Sequence, residues 1–239
     1  MRLKHKKDSF DMNDELQQGL SPLQKRIISA SVMISAVLII LYYGGFPFIV
    51  LLGVLALVSL YEWIRLSFHC KLPLRFIYLF AGFPYVIGSF VCCFIIFEKL
   101  GFFWAMTFLA MVWSSDTGAY FAGKTIGGPK LAQKISPNKT WAGFGGALLA
   151  PAVVGIASMF LYRGVDDFSW VALFMMGASG ALIGFAGQMG DLVISAFKRQ
   201  AGVKDSGDLI PGHGGLLDRI DSMLLAAPVY LILFMIGHA

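Results

Sequence analysis

Long apolar runs separated by short polar stretches organise this sequence. They lie at 27–43, 46–66, 74–97, 101–121, 141–162, 169–190 and 222–238. Each approaches the ~20 apolar residues that a helix needs to cross a bilayer. The runs are continuous, whereas a β-barrel would alternate over segments of ~10 residues. The pattern therefore predicts an all-α, polytopic integral membrane protein with about seven transmembrane helices, within a range of roughly six to nine. Pro47, Pro84, Pro151 and Pro228 fall in or at the edges of runs, where a membrane helix tolerates a kink. The expected layout is a polar tail at 1–26 and one transmembrane domain at 27–239.

Composition strengthens this reading. The 239 residues are 57% hydrophobic and only 14% charged, against about 25% charged in a soluble chain. No room is left for a separate soluble domain. Cys70, Cys92 and Cys93 fall in or beside apolar runs, without metal-ligand spacing, and read as packing residues rather than a disulfide framework.

A net charge of +5 could point to nucleic acid, but its distribution says otherwise. All Lys and Arg residues except Lys99 and Arg163 fall in the tail or in alternate loops, on one side of the predicted spans. The positive-inside rule assigns that side to the cytosol. The N-terminus is then cytosolic, with Lys25 and Arg26 at the membrane edge, and no nucleic-acid partner is expected. Two polar stretches, 116–140 and 190–221, share the cytosolic side. Together they predict a polar cavity facing it.

The densest chemistry lies between Gly190 and Ser222, GDLVISAFKRQAGVKDSGDLIPGHGGLLDRIDS. Unpaired charges beside membrane-grade sequence are costly, so this stretch implies a hydrated, ion-containing cavity. If Gly190 to Arg199 is helical, Asp191, Ser195 and Lys198 or Arg199 share a face. Asp218 and Asp221 share one if a helix begins near Leu216. The glycine-rich loop between them would let backbone N–H groups approach a phosphate. Carboxylates, lysines and such a loop suit a metal-bound polyphosphate, and oxygen ligands favour Mg²⁺.

The second stretch, Ser114 to Thr140, contains G-A-Y-F-A-G-K-T from Gly118 to Thr125. This spells a P-loop, but a P-loop needs a preceding strand in an α/β domain. What precedes here is FFWAMTFLAMVW, apolar and of membrane length. Asp116, near the end of a predicted span, requires pairing or hydration. Lys139 follows Ser136-Pro137-Asn138 and precedes a span, at the cytosolic rim. It reads either as a phosphate ligand or as a snorkelling residue.

These residues carry a family resemblance. The run from Ser195 to Asp221 resembles the defining motif of the phosphatidate cytidylyltransferases. Asp116-Thr117-Gly118-Ala119-Tyr120 with Gly123-Lys124 is similar to their D-T-x-A-Y…G-[KR] segment. Ser136-Pro137-Asn138-Lys139-Thr140 is similar to their S-P-x-K-[ST] motif. That motif usually continues with a Glu, where this chain has Ala142. The resemblance covers roughly residues 110–225.

It implies a single transmembrane catalytic domain at 27–239 that converts CTP and phosphatidate into CDP-diacylglycerol and diphosphate in phospholipid biosynthesis. It also implies Mg²⁺ as cofactor, with room for a second ion. The expected primary metal ligands are Asp191 and Asp218, with Asp221 as a further ligand close by. Lys139, Lys198, Arg199 and Arg219 join Asp191 and Asp218 as expected catalytic residues. Asp116, Ser136, Asn138, Ser195, Lys204, His213, Gly214 and Gly215 are expected to bind substrate. His213 would contact the cytosine or a phosphate, protonate the diphosphate, or only brace its turn. The expected setting is a bacterial inner membrane, with the bilayer as partner and room for a homodimer interface among the first three spans.

Two other readings compete with this one. A CTP-dependent kinase of a lipid alcohol would share a membrane-embedded nucleotide site, but the long match through H-G-G-x-x-D-R-x-D opposes it. An ion-coupled transporter should carry acids in mid-span and repeated halves. Here the acids cluster at one rim.

Overall fold

The computed structural model describes Ser31 and residues 35–163, 169–207, 209 and 214–237. The tail at 1–26 and residues 27–30 and 32–34 of the first predicted span lie outside them. A helical stretch at 35–43 leads into α1 (Gly45–His69) and α2 (Leu74–Ile95), which runs on as a π-helical turn, Ile96–Leu100. Then come α3 (Phe102–Thr125), a hairpin of β1 (Lys130–Ala132) and β2 (Ser136–Thr140), α4 (Trp141–Arg163), α5 (Trp170–Gln200) and α6 (Leu217–Gly237).

The chain is an all-α polytopic membrane protein, the small hairpin apart. Five segments among the described residues are long and apolar enough to cross a membrane: Gly45–His69, Leu74–Leu100, Trp141–Tyr162, Trp170–Gln200 and Leu217–Gly237. The 24-residue α3 is long enough, but its second half carries Asp116 and Lys124 and is less apolar. Two predicted boundaries move. The span expected to end at 190 continues to Gln200, and the one expected from 222 starts at Leu217. At 31 residues, α5 is about 46 Å long, well beyond the ~30 Å hydrocarbon core. Its last turns therefore reach past the apolar layer and carry Lys198 and Arg199.

Small residues set the helix spacing. Neighbouring helices in a membrane gain no hydrophobic drive from each other, so close backbone approach has to supply the contact. A side chain at Gly180 would stand 2.6 Å from the Pro151 carbonyl carbon, and one at Gly190 would stand 2.5 Å from the Asp221 carbonyl oxygen. Glycines on α5 thus press it against α4 near the middle and against α6 at the polar end. Gly118 and Gly146 bring α3 and α4 together in the same way. Large apolar side chains point outward instead, among them Phe80, Leu149, Leu161 and Phe174.

The remaining contacts bind α1 and α2 to this core. Trp63 on α1 donates from Nε1 to the Tyr78 carbonyl at 2.8 Å, and its ring packs on Phe197 of α5 with centroids 4.7 Å apart. Tyr78 stacks on Phe197 at 4.1 Å and donates to Gln200 Oε1 at 2.7 Å. Ser89 on α2 donates to the Leu224 carbonyl of α6. Cys70 is buried in the apolar cluster around Trp63 and Phe197.

Replacing Gly180 with Ala forces a methyl group into the Pro151 backbone, an overpacking that costs about 1–3 kcal/mol. Thermal unfolding in detergent should fall by several degrees. Gly88→Ala, where nothing lies within 4 Å of the new methyl, should leave unfolding unchanged or raise it.

Candidate active site

The polar ends of α3, α4, α5 and α6 surround a cavity of about 620 Å³. Its walls include Asp116, Tyr120 and Lys124 from α3, Leu131, Asn138, Lys139 and Thr140 from the hairpin, and Gln188 and Asp191 from α5. Gly143 and Phe144 of α4 and Asp218 and Asp221 of α6 complete it. Two polar stretches far apart in sequence meet here because α3 and α4 are antiparallel neighbours and α5 lies between α4 and α6.

Thr140 shows how the local sequence builds one wall. It is the last residue of β2 and the residue before α4, and its Oγ1 accepts the Gly143 N–H at 3.1 Å. This is a side-chain cap on the helix N-terminus. The preceding Lys139 is thereby fixed at the cavity rim. Its Nζ lies 2.7 Å from Asp191 Oδ2 and donates to Gln188 Oε1 at 2.8 Å. Asp191 also accepts from Ser195 Oγ at 3.0 Å, one helical turn further along α5.

Lys198, one turn beyond Ser195, is buried and turns to α6. Its Nζ reaches Asp218 Oδ1 at 2.5 Å. The other Asp218 oxygen accepts Ser206 N–H at 2.8 Å, Ser206 Oγ at 3.1 Å and Gly215 N–H at 3.1 Å. Asp221 Oδ1 accepts the Ser222 N–H at 2.8 Å, and Ser222 Oγ donates to Asp116 Oδ2 at 3.3 Å. Asp116, Asp191 and Asp221 are near enough to repel one another. Four carboxylates thus line a cavity whose lining ammonium groups are Lys124 and Lys139.

The donor set is oxygen-rich. No cluster of three or more His, Cys, Asp or Glu side chains forms a ready metal cage among the described residues. Asp191 on α5 and Asp221 on α6 face one cavity across the close contact at Gly190.

The expected residues divide by position. Asp116, Asn138, Lys139, Asp191, Asp218 and Asp221 line the cavity, while Ser195 and Lys198 act on its carboxylates. Ser136 starts β2 and is off the cavity walls. Arg199 faces outward, donating from Nε to the Ile135 carbonyl at 3.2 Å and from Nη1 to the Val203 carbonyl at 3.1 Å. It ties the hairpin to the end of α5 and does not line the cavity. Arg219 and Lys204 are exposed and are also off its walls. Gly214 takes a positive φ of 82°, and the next N–H, that of Gly215, goes to Asp218. His213 lies outside the described residues.

Two residues went unread in the sequence. Gln188 is buried and holds Lys139. Glu62 on α1 is 3% exposed, and its carboxylate accepts Leu216 N–H and Leu217 N–H, each at 2.9 Å, and Ser206 Oγ at 2.8 Å. An acidic letter inside an apolar span was the available signal.

The chain matches the sequence model of the cytidylyltransferase family over residues 73–236. It is 35% identical to the phosphatidate cytidylyltransferase of Rickettsia typhi over 225 residues, covering 91% of this chain and 94% of that protein. The Staphylococcus aureus (strain COL) protein of the same name is also 35% identical over 225 residues, covering 91% of this chain and 84% of the relative. The Brucella suis counterpart is 48% identical over 141 residues, 57% of this chain and 48% of the relative.

Removing the cap by Thr140→Ala should cost about 1 kcal/mol of stability, read as a lower unfolding temperature. Thr140→Ser, which keeps the accepting oxygen, should restore most of it.

Proposed function

The chain belongs to the cytidylyltransferase family, and we propose that it is a phosphatidate cytidylyltransferase, joining CTP and phosphatidate into CDP-diacylglycerol with release of diphosphate. The observation that carries this reading is a cavity lined by carboxylates and lysines at one end of membrane-length apolar helices. Such a site can take a soluble nucleotide and the headgroup of a lipid whose acyl chains remain in the bilayer.

A phosphate oxygen of phosphatidate attacks the α-phosphorus of CTP. The new P–O bond forms as the bond to the bridging β-phosphate oxygen breaks, and that electron pair leaves with diphosphate. A phosphate monoester is largely dianionic near neutral pH, so the attacking oxygen needs no general base. The work left to the protein is to hold two polyanions together and stabilise the leaving charge. Lys139 does this at the cavity rim, held by Asp191 and Gln188. Behind it stands the N-terminus of α4, which has no acidic residue in its first turn, so the positive end of its dipole favours a nearby anion. Lys198 compensates Asp218 at the opposite wall.

Mg²⁺ belongs to the same proposal. It characteristically takes one or two carboxylates together with substrate phosphates, a demand that Asp191 and Asp221 meet from facing helices, with Asp218 beside them. When bound, it would supply positive charge to the phosphate oxygens. Room for a second ion belongs to the same proposal. The proposal also puts the cavity and the N-terminus on the cytosolic side of a bacterial inner membrane, following the distribution of Lys and Arg, and retains a homodimer contact among the first spans.

The test uses purified protein in detergent with phosphatidate and α-labelled CTP. Label should enter chloroform-extractable lipid, stop on chelation and return with Mg²⁺. Asp191→Asn and Asp221→Asn should each lower turnover by about 10²–10³-fold, the loss typical of removing a main electrostatic contact in an active site. Label in lipid from γ-labelled CTP and not from α-labelled CTP would replace this reading with phosphoryl transfer to a lipid.

A further inference from the structure

Glu62 sits on an apolar helix, ahead of the residues matched by the family model. Yet among the described residues its three hydrogen bonds all come from the polar stretch around Asp218. Oε1 takes the Leu216 N–H. Oε2 takes the Leu217 N–H and the Ser206 hydroxyl. Leu217 is the first residue of α6, so Glu62 caps α6 from another helix and sets a negative charge at its positive end.

Ser206 is the link to the cavity. Its Oγ lies 2.8 Å from Glu62 Oε2 and 3.1 Å from Asp218 Oδ2. A hydroxyl carries one proton, so the two carboxylates share a single donor. The loop is closed tightly around this point. A side chain at Gly215 would meet Glu62 Oε2 at 2.6 Å and the Gly207 nitrogen at 2.7 Å. The Asp218 carboxylate then has no slack, with Lys198 on one oxygen and three donors on the other.

A carboxylate in an apolar span costs several kcal/mol unless it is compensated, and an apolar residue would pack there more cheaply. The carboxylate is therefore explained by what it holds. We propose that Glu62 is a positioning residue of the transfer reaction: through Ser206 and the first turn of α6 it fixes how Asp218 and Lys198 stand in the cavity. This rests on reading the cavity as a cytidylyl-transfer site. It makes α1 part of the machinery, although α1 contributes no side chain to the cavity lining.

The test compares wild type, Glu62→Gln, Ser206→Ala and the double variant, all full length in detergent. Glu62→Gln keeps the shape but turns an amide N–H₂ toward a donor. Small misplacements can cost up to about 100-fold in turnover, and kcat should fall by about 10-fold or more, with KM for CTP changing less than about threefold. Ser206→Ala should lower kcat in the same way. The double variant should be no worse than the worse single, because both break one chain of contacts. Hydrogen exchange, independent of turnover, should be faster at residues 214–217 in Glu62→Gln and unchanged in α3 and α4. Multiplying kcat effects, or an unchanged kcat in Glu62→Gln beside an active wild type, would overturn the proposal. If Glu62→Gln does not fold, unchanged kcat in Ser206→Ala overturns it, and reduced kcat at constant KM supports it. A wild type that never labels lipid would overturn the reading of the cavity, and this proposal with it.

Discussion

A charge withdrawn from water inside a membrane protein has to be answered by other groups of the same chain. That constraint shapes this structure from α1 to α6. Glu62 is answered by two backbone amides and a hydroxyl, Asp218 by an ammonium and three donors, and Asp191 by Lys139 and Ser195. Ser195 on α5 itself apart, these answers reach across from other segments of the chain, so the charges hold the elements together as well as serving chemistry. Breaking one partner leaves the other stranded, which is why such pairs are costly to remove even where their net contribution is small.

The glycines on α5 make these pairings possible. A polar cavity walled by side chains a few ångströms apart needs helix axes closer than large side chains allow. At Gly190 the backbone of α5 approaches the carbonyl of Asp221 directly, and Asp191 follows in the next position. The length of α5 matters as much. A span of ordinary length would end before Ser195 and Lys198, and the polar end of the helix would lose its order. Its actual end is held by Gly202, with φ 73° and its N–H on the Arg199 carbonyl, while the Val203 N–H reaches the Lys198 carbonyl. This is the paired closure expected of a left-handed glycine after a helix.

Much of this was legible from local pattern. Apolar runs of bilayer length gave the helices, and the i, i+4 and i+7 spacing put Asp191, Ser195 and Lys198 on one face, as the structure has them. The same spacing left Arg199 as an alternative to Lys198. Only packing decides between adjacent residues, and it turns Arg199 outward to the Ile135 carbonyl. The loop glycines were expected to offer N–H groups to a phosphate, but that of Gly215 is spent on Asp218. What Glu62 holds was not legible, because its partners lie more than a hundred residues away and single-sequence spacing carries no such pairing. Ser136-Pro137-Asn138-Lys139-Thr140 gave the position of Lys139 but not the strand it lies on, since a two-stranded hairpin this short has little periodicity to show.

On this reading Lys139 and the carboxylates of α5 and α6 form one site for a nucleotide's phosphates. A crystal structure of the full chain with CTP and Mn²⁺ in place of Mg²⁺, the metal located by its anomalous signal, tests this first. Metal density should lie between Asp191 and Asp221, with CTP phosphates between it and Lys139. Metal or phosphates elsewhere, for example in the apolar cavity of about 270 Å³ beside Trp104 and Tyr162, would contradict it.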